Sequence, residues 1–331
     1  MGGFSRYIFD STALFLDRLP IARSILGARN GLRIIYYHKV SEQKVPYYFD
    51  NGISSTVFEG QLDHLQKTFK FITLSEALSR AQEGQSLSGY VCITFDDGFR
   101  ECYTHIFRTL KSRGIKATFF LIEECLENKT LMWRNKVLSI QNSVSKGCIT
   151  ELISQFSAER DFNLPKDLMS LSWQWSMDEK EKLATQMWEA AAMPDLDNYL
   201  QKHTPYLSNA HVREMIDDGQ EIGVHTRTHP ICGRLTQAQV DDEIVGSWRR
   251  LSDRFDTPIN SFSYPFGVRC SDQLEQYIKS QTDLEIILGI RDDLSNGLDA
   301  SRWERRGMET GYGRSVSLFY FAPWRRKISK S

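Results

Sequence analysis

Short apolar segments of strand type alternate with amphipathic helical segments along most of this 331-residue chain. Such alternation predicts parallel strands joined by right-handed helical crossovers. About seven or eight of these units in one chain favour a closed barrel over an open sheet. We therefore predict the α/β class and a distorted (β/α) barrel, with strands near residues 32–37, 71–73, 91–95, 117–122, 221–224, 261–264, 284–290 and 303–308.

The alternation stops between residues 123 and 206, where helical stretches and proline breaks occur without a convincing strand. This segment predicts a helical insertion within a barrel domain that spans residues 32–310. Residues 1–31 are predicted to form an N-terminal helical segment, and residues 311–331 an aromatic and basic tail. The insertion contains tryptophans that either cover a cleft or pack within the insertion itself: Trp133, Trp173 and Trp175.

The overall composition is that of a globular protein, with 41% hydrophobic residues, 25% charged residues and a formal net charge of -1. So small a net charge gives no electrostatic basis for binding nucleic acid. The six cysteines are scattered without a CxxC pair, which indicates free thiols in a reducing compartment. We find no secretory signal and no apolar stretch of about 20 residues, and therefore expect a cytoplasmic protein.

The predicted tail places aromatic residues directly before a cluster of basic ones. Phe319, Phe321 and Trp324 precede Arg325 and Arg326. Aromatic rings followed by cations suit a membrane interface that carries anionic lipid. The aromatic side chains could equally pack on the barrel and leave a solvated basic end. Peripheral contact with the inner face of a membrane is therefore one of two open interpretations of the tail.

The predicted strand at residues 91–95 ends in two adjacent carboxylates, Asp96 and Asp97, followed by Gly98. Burying neighbouring acids is costly unless a metal or another cation offsets their charge. Asp-Asp-Gly is also ordinary turn chemistry, and Asp is a good helix N-cap. On this stretch alone the turn and the functional interpretation are equally supported, so partners elsewhere in the chain must decide between them.

A second candidate, the run His225-Thr226-Arg227-Thr228-His229, follows another predicted strand. Two imidazoles four residues apart lie on one face of a helical turn, which is a spacing suited to one zinc ion. An isolated pair of this kind arises by chance more often than it binds metal. In a barrel, functional side chains lie at the C-terminal ends of strands, so Asp96 or Asp97 could complete a three-ligand catalytic site.

Three ordered segments resemble the motifs of the polysaccharide deacetylases, also known as the chitooligosaccharide deacetylase homology domain. The segments are Thr94-Phe95-Asp96-Asp97-Gly98, His225-Thr226-Arg227-Thr228-His229 and Phe262-Ser263-Tyr264-Pro265-Phe266-Gly267. The similarity covers residues 32–122 and 205–310, whereas the insertion and both termini fall outside it. Three motifs in the right order are far more specific than any one of them alone.

The resemblance implies a divalent metal, usually zinc in this family, with three protein ligands: Asp97, His225 and His229. Asp96 would be the general base that activates a water molecule. The backbone N–H of Phe266 would join the metal in stabilising the tetrahedral oxyanion. Two further residues of the third motif, Tyr264 and Pro265, are expected to contact the substrate.

This chain departs from the family pattern at the arginine that normally opens the third motif and steadies the base. Ser263 stands in its place. Arg305 or Arg306, on the last predicted strand, could replace the missing arginine, and we choose Arg306.

A second departure concerns the general acid. Many members take it from a histidine near the C-terminus, but no histidine follows His229 here. The run Ile34-Ile35-Tyr36-Tyr37-His38-Lys39-Val40 is similar to the Tyr-His motif of the poly-N-acetylglucosamine deacetylase branch, in which an N-terminal histidine takes that role. His38 is therefore the predicted acid, and Tyr37 a predicted substrate contact.

Together these implications predict a metal-dependent N-deacetylase that hydrolyses the acetamide of an N-acetylated amino sugar, in a glycan or a lipid-linked glycan precursor. Two alternatives stay open. One is hydrolysis of another acyl group, such as the formyl group of a lipid-linked amino sugar. The other is a catalytically inactive carbohydrate-binding barrel. Retention of both acids and both histidines argues against inactivity, while the missing arginine argues faintly for it.

Overall fold

Seven parallel strands close into a barrel in the computed structural model, which describes residues 31–49, 52–158, 165–290 and 303–309 and three isolated earlier positions. The sheet as a whole contains eight described strands: β1 (Arg33–Tyr37), β2 (Lys70–Phe71), β3 (Tyr90–Phe95), β4 (Thr118–Leu121), β5 (Glu221–Val224), β6 (Ser261–Ser263), β7 (Ile286–Ile290) and β8 (Trp303–Gly307). Around the barrel they follow the order β1-β8-β7-β6-β5-β4-β3, and the pairing of β3 with β1 closes the ring.

The barrel is distorted where β3 changes partners along its length. Its first two residues, Tyr90 and Val91, pair with β2, whereas its last two, Thr94 and Phe95, pair with β4. On β1, all five residues are in register with β3. The short strand β2 therefore belongs to the sheet without being part of the closed ring. This arrangement confirms the predicted distorted (β/α) barrel of about seven or eight parallel strands.

Helices occupy the connections between the strands, because parallel strands cannot be joined by tight turns. The α-helices are α1 (Ser55–Thr68), α2 (Leu74–Gln82), α3 (Arg108–Ser112), α4 (Trp133–Ser143), α5 (Lys146–Ala158), α6 (Leu168–Ser172), α7 (Lys180–Ala190), α8 (Leu196–His203), α9 (Asn209–Asp217), α10 (Gln237–Val240), α11 (Ser247–Phe255) and α12 (Asp272–Gln281). Between β4 and β5, at residues 123–206, the described residues contain helices α4–α8 and no strand.

Two predicted helices are less regular than their sequences indicated. A π-helical turn, Cys102–Phe107, runs directly into α3, and a second one, Asp241–Gly246, lies between α10 and α11. Shorter 3₁₀ turns occur at Glu123–Asn128, Cys232–Arg234 and Pro265–Gly267. The apolar periodicity that predicted these helices does not distinguish a π-turn from an α-turn, because both bury the same face.

The start and end of α9 show how local sequence sets the element boundaries. The Ser208 side chain accepts a hydrogen bond from the His211 backbone N–H, and the His211 ring accepts one from the Ser208 N–H. This reciprocal capping box satisfies two donors that the first turn leaves unpaired. After the helix, Gly219 has a φ of +84°, a conformation that only glycine adopts without strain.

Two large hydrophobic clusters stabilise the barrel and the insertion separately. In the barrel, the rings of Phe95 and Phe119 stack with centroids 4.9 Å apart. In the insertion, the fully buried Trp133 and Trp175 lie 6.0 Å apart, within a second cluster. These two tryptophans thus pack within the insertion, whereas Trp173 remains 36% exposed.

No helix in the described part of the chain combines the length and the apolar character needed to cross a membrane. The predicted N-terminal helical segment and the aromatic and basic tail at residues 311–331 lie outside the described residues, apart from positions 12, 15, 19 and 31. Membrane contact through the tail therefore stays a prediction.

Replacing Gly223 in β5 by alanine should destabilise the fold. A Cβ atom there would lie 2.3 Å from the Phe120 ring and 2.9 Å from Ser261 Oγ. Overpacking of this kind costs about 1–3 kcal/mol of unfolding free energy, measurable by urea denaturation. Gly147→Ala in α5 is the matched control, because its Cβ would meet only Ser145 Oγ at 3.8 Å. Equal stability changes in the two variants would contradict the packing described for β5.

Candidate active site

Residues at the ends of several strands surround a cavity of about 330 Å³. β1 ends before His38, β3 before Asp96 and Asp97, and β5 before His225, while the turn after β6 contributes Phe266. The C-terminal ends of all barrel strands face the same way, so residues far apart in sequence converge there. The cavity is also lined by Tyr36, Tyr48, Phe49, Met132, Arg134, Asn135, His229 and Ile290.

The predicted metal ligands converge. Asp97 Oδ1 lies 3.4 Å from His225 Nε2 and 3.3 Å from His229 Nε2, and all three side chains are buried. Asp97 Oδ1 makes no hydrogen bond within the described part of the chain. A buried carboxylate oxygen facing two imidazole nitrogens is the donor set that zinc and similar divalent ions take, so these residues fit a metal.

The histidine run is not the helical turn that its spacing suggested. Thr226 and His229 have φ values of +68° and +61°, so the segment is a loop. The Thr226 carbonyl accepts a hydrogen bond from the Glu123 N–H, and the His229 N–H donates to Thr226 Oγ1. The two imidazoles, with ring centroids 4.9 Å apart, are therefore brought together by loop geometry rather than by helical periodicity.

A buried carboxylate that the sequence reasoning missed supports this loop. Glu243 accepts hydrogen bonds from the backbone N–H groups of Arg227, at 3.1 Å, and Thr228, at 2.8 Å, and from the Thr228 hydroxyl. On the other side, the insertion contributes Trp133, whose indole N–H donates to the His229 carbonyl at 2.8 Å. A loop with positive φ values is thus held from both sides.

The hydrogen bonds and pKa values of the ligands suit metal binding. His225 Nδ1 lies 2.8 Å from the Ser263 carbonyl, so it carries the proton and leaves Nε2 free as a ligand. Burial lowers the pKa of His229 to about 4, which keeps that ring neutral. Burial alone would raise the pKa of Asp97, but the two facing imidazoles hold it well below its usual value. The Asp97 carboxylate and the His229 imidazole are therefore in the forms that bind a cation.

Arg305, and not Arg306, pairs with Asp96. Arg305 Nη1 and Nη2 lie 2.7 Å from Asp96 Oδ1 and Oδ2, and both side chains are buried. Our choice of Arg306 is therefore wrong. Side chains alternate between the two faces of a strand, so only one of two neighbouring residues can face the barrel interior. Burial would raise the pKa of Asp96, but Arg305 holds it below its ordinary value.

The serine that replaces the motif arginine belongs to the same cluster. Arg305 donates to Ser263 Oγ and also to Thr94 Oγ1, the latter at 2.9 Å. A short side chain on β6 thus leaves room for a guanidinium that arrives from β8. The predicted base, Asp96, keeps an arginine partner, although the arginine comes from a different strand.

His38 is paired with Glu309, which sequence reasoning also missed. His38 Nδ1 lies 2.7 Å from Glu309 Oε2, while Oε1 accepts the backbone N–H groups of His38 at 2.7 Å and Lys39 at 2.8 Å. Burial alone would lower the pKa of His38, but the Glu309 carboxylate raises it to about 10. The position of Glu309, two residues after the end of β8, was the signal available in the sequence.

The expected substrate contacts at Tyr37 and Tyr264 are wrong, because both rings are fully buried. Tyr37 donates to Gln61 Oε1 at 2.8 Å, and the Tyr264 hydroxyl lies 2.9 Å from Cys270 Sγ and 3.2 Å from Glu275. Alternation along β1 turns the neighbouring Tyr36 to the cavity instead.

Of the third motif, Phe266 reaches the cavity, and Pro265 is buried outside the cavity lining. Phe266 has a φ of +57° in the turn closed by the Gly267 N–H, which donates to the Tyr264 carbonyl at 3.0 Å. Its ring packs edge-on against His229, with centroids 4.5 Å apart. The side chain therefore forms part of the wall beside the ligands.

Substituting Arg305 by glutamine should lower the free energy of unfolding by about 3–5 kcal/mol, because Asp96 would be left buried and unpaired. Since an unpaired buried carboxylate has a raised pKa, the loss should be smaller at pH 5 than at pH 8. Urea denaturation at both pH values measures it. Arg306→Gln is the matched control, and an equal, pH-independent loss in both variants would contradict the pairing.

Comparisons with known proteins agree with this geometry. The polysaccharide deacetylase family profile matches residues 84–162 and 174–284, which is more than half of the chain. No significant match was found among curated proteins.

Solved structures share the fold. IcaB from Ammonifex degensii is 18% identical, with 88% of this chain and 97% of that chain covered and a TM-score of 0.52. A de-N-acetylase from Aggregatibacter actinomycetemcomitans is 15% identical, with coverages of 87% and 99% and a TM-score of 0.56. The deacetylase PplD from Streptococcus pyogenes is 17% identical, with coverages of 84% and 92% and a TM-score of 0.51.

The family profile includes both the Asp-Asp motif and the histidine motif, whose side chains meet in one cavity. The chain belongs to the polysaccharide deacetylase family and, like its members, is a hydrolase of carbon–nitrogen bonds other than peptide bonds.

Proposed function

We propose that this enzyme is a metal-dependent N-deacetylase that removes the acetyl group from an N-acetylated amino sugar, in a glycan or a lipid-linked glycan precursor. The observation that carries the proposal is the convergence of three buried ligands, Asp97, His225 and His229, beside a separate buried carboxylate, Asp96. A divalent ion, for which zinc is the usual choice in the family, would supply Lewis-acid activation of the water and of the amide carbonyl.

Asp96 is the base in this proposal. It is ionised at neutral pH because Arg305 holds its pKa low, and the two hydrogen bonds from Arg305 fix the plane of the carboxylate. An ionised, oriented carboxylate next to the metal ligands can take the proton of the attacking water. Because Asp96 is engaged by Arg305 and Asp97 faces the histidines, the two neighbouring acids have different roles.

His38 is the acid and the Phe266 N–H the oxyanion donor. Glu309 holds His38 Nδ1 and raises the pKa of the ring, so the imidazolium can donate a proton from Nε2 to the leaving amine. The Phe266 N–H would stabilise the negative charge that develops on the carbonyl oxygen. The predicted similarity of His38 to the acid of the poly-N-acetylglucosamine deacetylase branch supports this role.

An inactive carbohydrate-binding barrel is the weaker alternative. The sequence argument for it was the missing motif arginine, and Arg305 supplies a guanidinium to Asp96 from another strand. We further propose a cytoplasmic location with peripheral membrane contact, which the composition and the aromatic and basic tail at residues 311–331 support.

Mass spectrometry of N-acetylated oligosaccharides incubated with the full chain and zinc tests the proposal. A loss of about 42 Da per sugar indicates deacetylation, and a loss of about 28 Da from an N-formylated probe indicates deformylation, since amide hydrolysis removes those acyl groups. Asp96→Asn is the matched inactive control. The absence of product from every acylated sugar tested, with metal bound, would favour the inactive barrel.

The ligand and base roles should separate in metal analysis. His225→Ala should lose stoichiometric zinc, because it removes one of three ligands, whereas Asp96→Asn should keep the metal and lose most of its turnover. Elemental analysis after dialysis measures the zinc content per chain. His211→Ala, on α9 and outside the cavity lining, is the control histidine. Full metal content in His225→Ala, or equal loss in Asp96→Asn, would reverse the assignment.

Glu309→Gln should shift the alkaline limb of the pH–rate profile. The limb belongs to deprotonation of His38, whose pKa of about 10 falls toward or below the ordinary value of about 6.5 once the carboxylate is gone. Turnover at pH 8 should fall by about 10²-fold and recover partly near pH 6. Measurement of kcat/KM from pH 5 to 10.5 for the wild type and the variant determines the shift of the alkaline limb.

Glu304→Gln is the control for this shift, because Glu304 is a nearby carboxylate on β8 that pairs with Arg269 instead. The same pKa shift affects stability. Because the pKa of His38 is higher in the folded than in the unfolded state, its interaction with Glu309 stabilises the fold fully below about pH 6.5, and this contribution is lost as the pH rises through about 10. An unchanged alkaline limb in Glu309→Gln would remove His38 from the acid role.

A further inference from the structure

One cation in the wall of the active-site cavity has unmade hydrogen bonds within the described part of the chain. Arg134, from the insertion, is only 5% exposed, yet its Nε and Nη1 make no hydrogen bond among the described residues. Burial lowers its pKa to about 10, so it stays charged at neutral pH. A buried guanidinium with unmade hydrogen bonds is costly unless a ligand satisfies it.

Aromatic rings surround this guanidinium and hold it in place. Arg134 Cζ lies 4.3 Å from the Trp173 ring centroid, 5.0 Å from that of Phe266 and 5.8 Å from that of Phe49. Cation–π contacts fix the plane of an arginine but leave its N–H edges free for hydrogen bonds. Trp173 and Phe49 are 36% and 64% exposed, so the stack lies at the solvent side of the cavity.

The amino-terminal turn of α4 also gives this part of the cavity a positive character. Met132, Arg134 and Asn135 all line the cavity, and this turn contains no acidic residue and no side-chain cap. The first N–H groups of an 11-residue helix carry partial positive charge and favour an anion. A guanidinium with two nitrogens unbonded among the described residues and a helix terminus without a side-chain cap therefore line the same cavity.

Among the described residues, the carboxylates near the cavity do not pair with Arg134, because each already has a partner. Asp96 is paired with Arg305, and Asp97 faces the two histidines that would hold a divalent ion with it. Glu309, just behind His38, is engaged by that ring and by two backbone N–H groups. Asp167 interacts electrostatically with Arg134, but its carboxylate caps α6 by accepting a hydrogen bond from the Ser170 N–H. The positive charge of Arg134 is thus available to a ligand.

We propose that Arg134 and the amino-terminal turn of α4 bind an oxyanion, a phosphate or a carboxylate, that is carried by the substrate close to the scissile amide. The Phe266 ring contacts both sites: its centroid lies 5.0 Å from Arg134 Cζ and 4.5 Å from the centroid of the His229 ring. The anion therefore belongs to the amino sugar itself or to its immediate neighbour. This inference deepens the proposed function and rests on it for the identity of the amide.

Three probes test it on the zinc-loaded full chain: N-acetylglucosamine 1-phosphate, N-acetylmuramic acid and the neutral methyl N-acetylglucosaminide. The wild type should process at least one anionic probe with a kcat/KM about 10-fold to 100-fold above that of the neutral one, the scale of a hydrogen bond to a charged group. Preference for the phosphate or for the carboxylate identifies which oxyanion the pocket takes. Equal rates on all three probes would overturn the inference and leave the proposed deacetylase intact.

Arg134→Gln should abolish this preference: kcat/KM for the preferred anionic probe should fall about 10-fold or more further than kcat/KM for the neutral probe, since the lost interaction concerns the anion. Arg134→Lys, which keeps the charge, should restore part of the preference. Arg80→Gln is the matched control, because Arg80 also stacks on an aromatic ring, Tyr90 at 4.8 Å, but lies outside the cavity lining. Equal losses on charged and neutral probes in Arg134→Gln would reduce Arg134 to a structural residue.

A binding measurement separates this inference from the proposed function. Calorimetric titration of N-acetylglucosamine 1-phosphate into zinc-loaded Asp96→Asn, with and without Arg134→Gln, needs no turnover. Binding that is weakened about 10-fold or more by Arg134→Gln supports the anion site even if no probe is hydrolysed, in which case the deacetylase proposal fails alone. Binding that does not depend on Arg134 contradicts the anion site. Thermal unfolding of each variant confirms that it is folded.

Discussion

Arg305 and Asp96 form a two-fold hydrogen-bonded ion pair in the interior of the barrel, where neither side chain contacts solvent appreciably. Two isolated charges could not be buried there, so the barrel and the pair depend on each other. The guanidinium also bonds Thr94 and Ser263, and thereby links β8 to β3 and β6 across the barrel. The same contacts orient the carboxylate that we propose as the base, so folding and preorganisation of the site share one interaction.

The proposed metal ligands depend on a second set of contacts, which comes from β6, from the π-helical turn Asp241–Gly246 and from the insertion. His225 is fixed by the Ser263 carbonyl, and the loop to His229 is supported by Glu243. The insertion adds the Trp133 hydrogen bond to the His229 carbonyl. Because the loop has positive φ values, it needs this external support to keep both imidazoles on Asp97. The insertion is therefore part of the active-site architecture rather than an appendage.

The insertion also sets the chemical character of the cavity entrance. Arg134 and Trp173 come from the insertion, whereas Phe49 comes from the segment after β1, and the family motifs include none of the three. The residues that we propose for catalysis thus lie at the strand ends, whereas those that we propose for binding the anionic group of the substrate lie at the cavity entrance. Such a division between parts of the chain is common in barrel enzymes. Differences in substrate between barrels with the same ligand set can arise in this way without altering the ligands.

The sequence by itself determined the barrel class and the strand ends that line the cavity, and it predicted the three residues that we propose as metal ligands. Strand and helix periodicity is local, and residues such as Asp97 and His225 lie just after apolar strands. The elements and the residues at their ends could therefore be predicted from the sequence. The choice between Arg305 and Arg306 could not, because it depends on which face of β8 points inward. The pairing of Glu309 with His38, the loop conformation at Thr226 and the burial of Tyr37 and Tyr264 were likewise decided only by tertiary structure. Each depends on contacts between residues distant in sequence, and no local propensity encodes those distances.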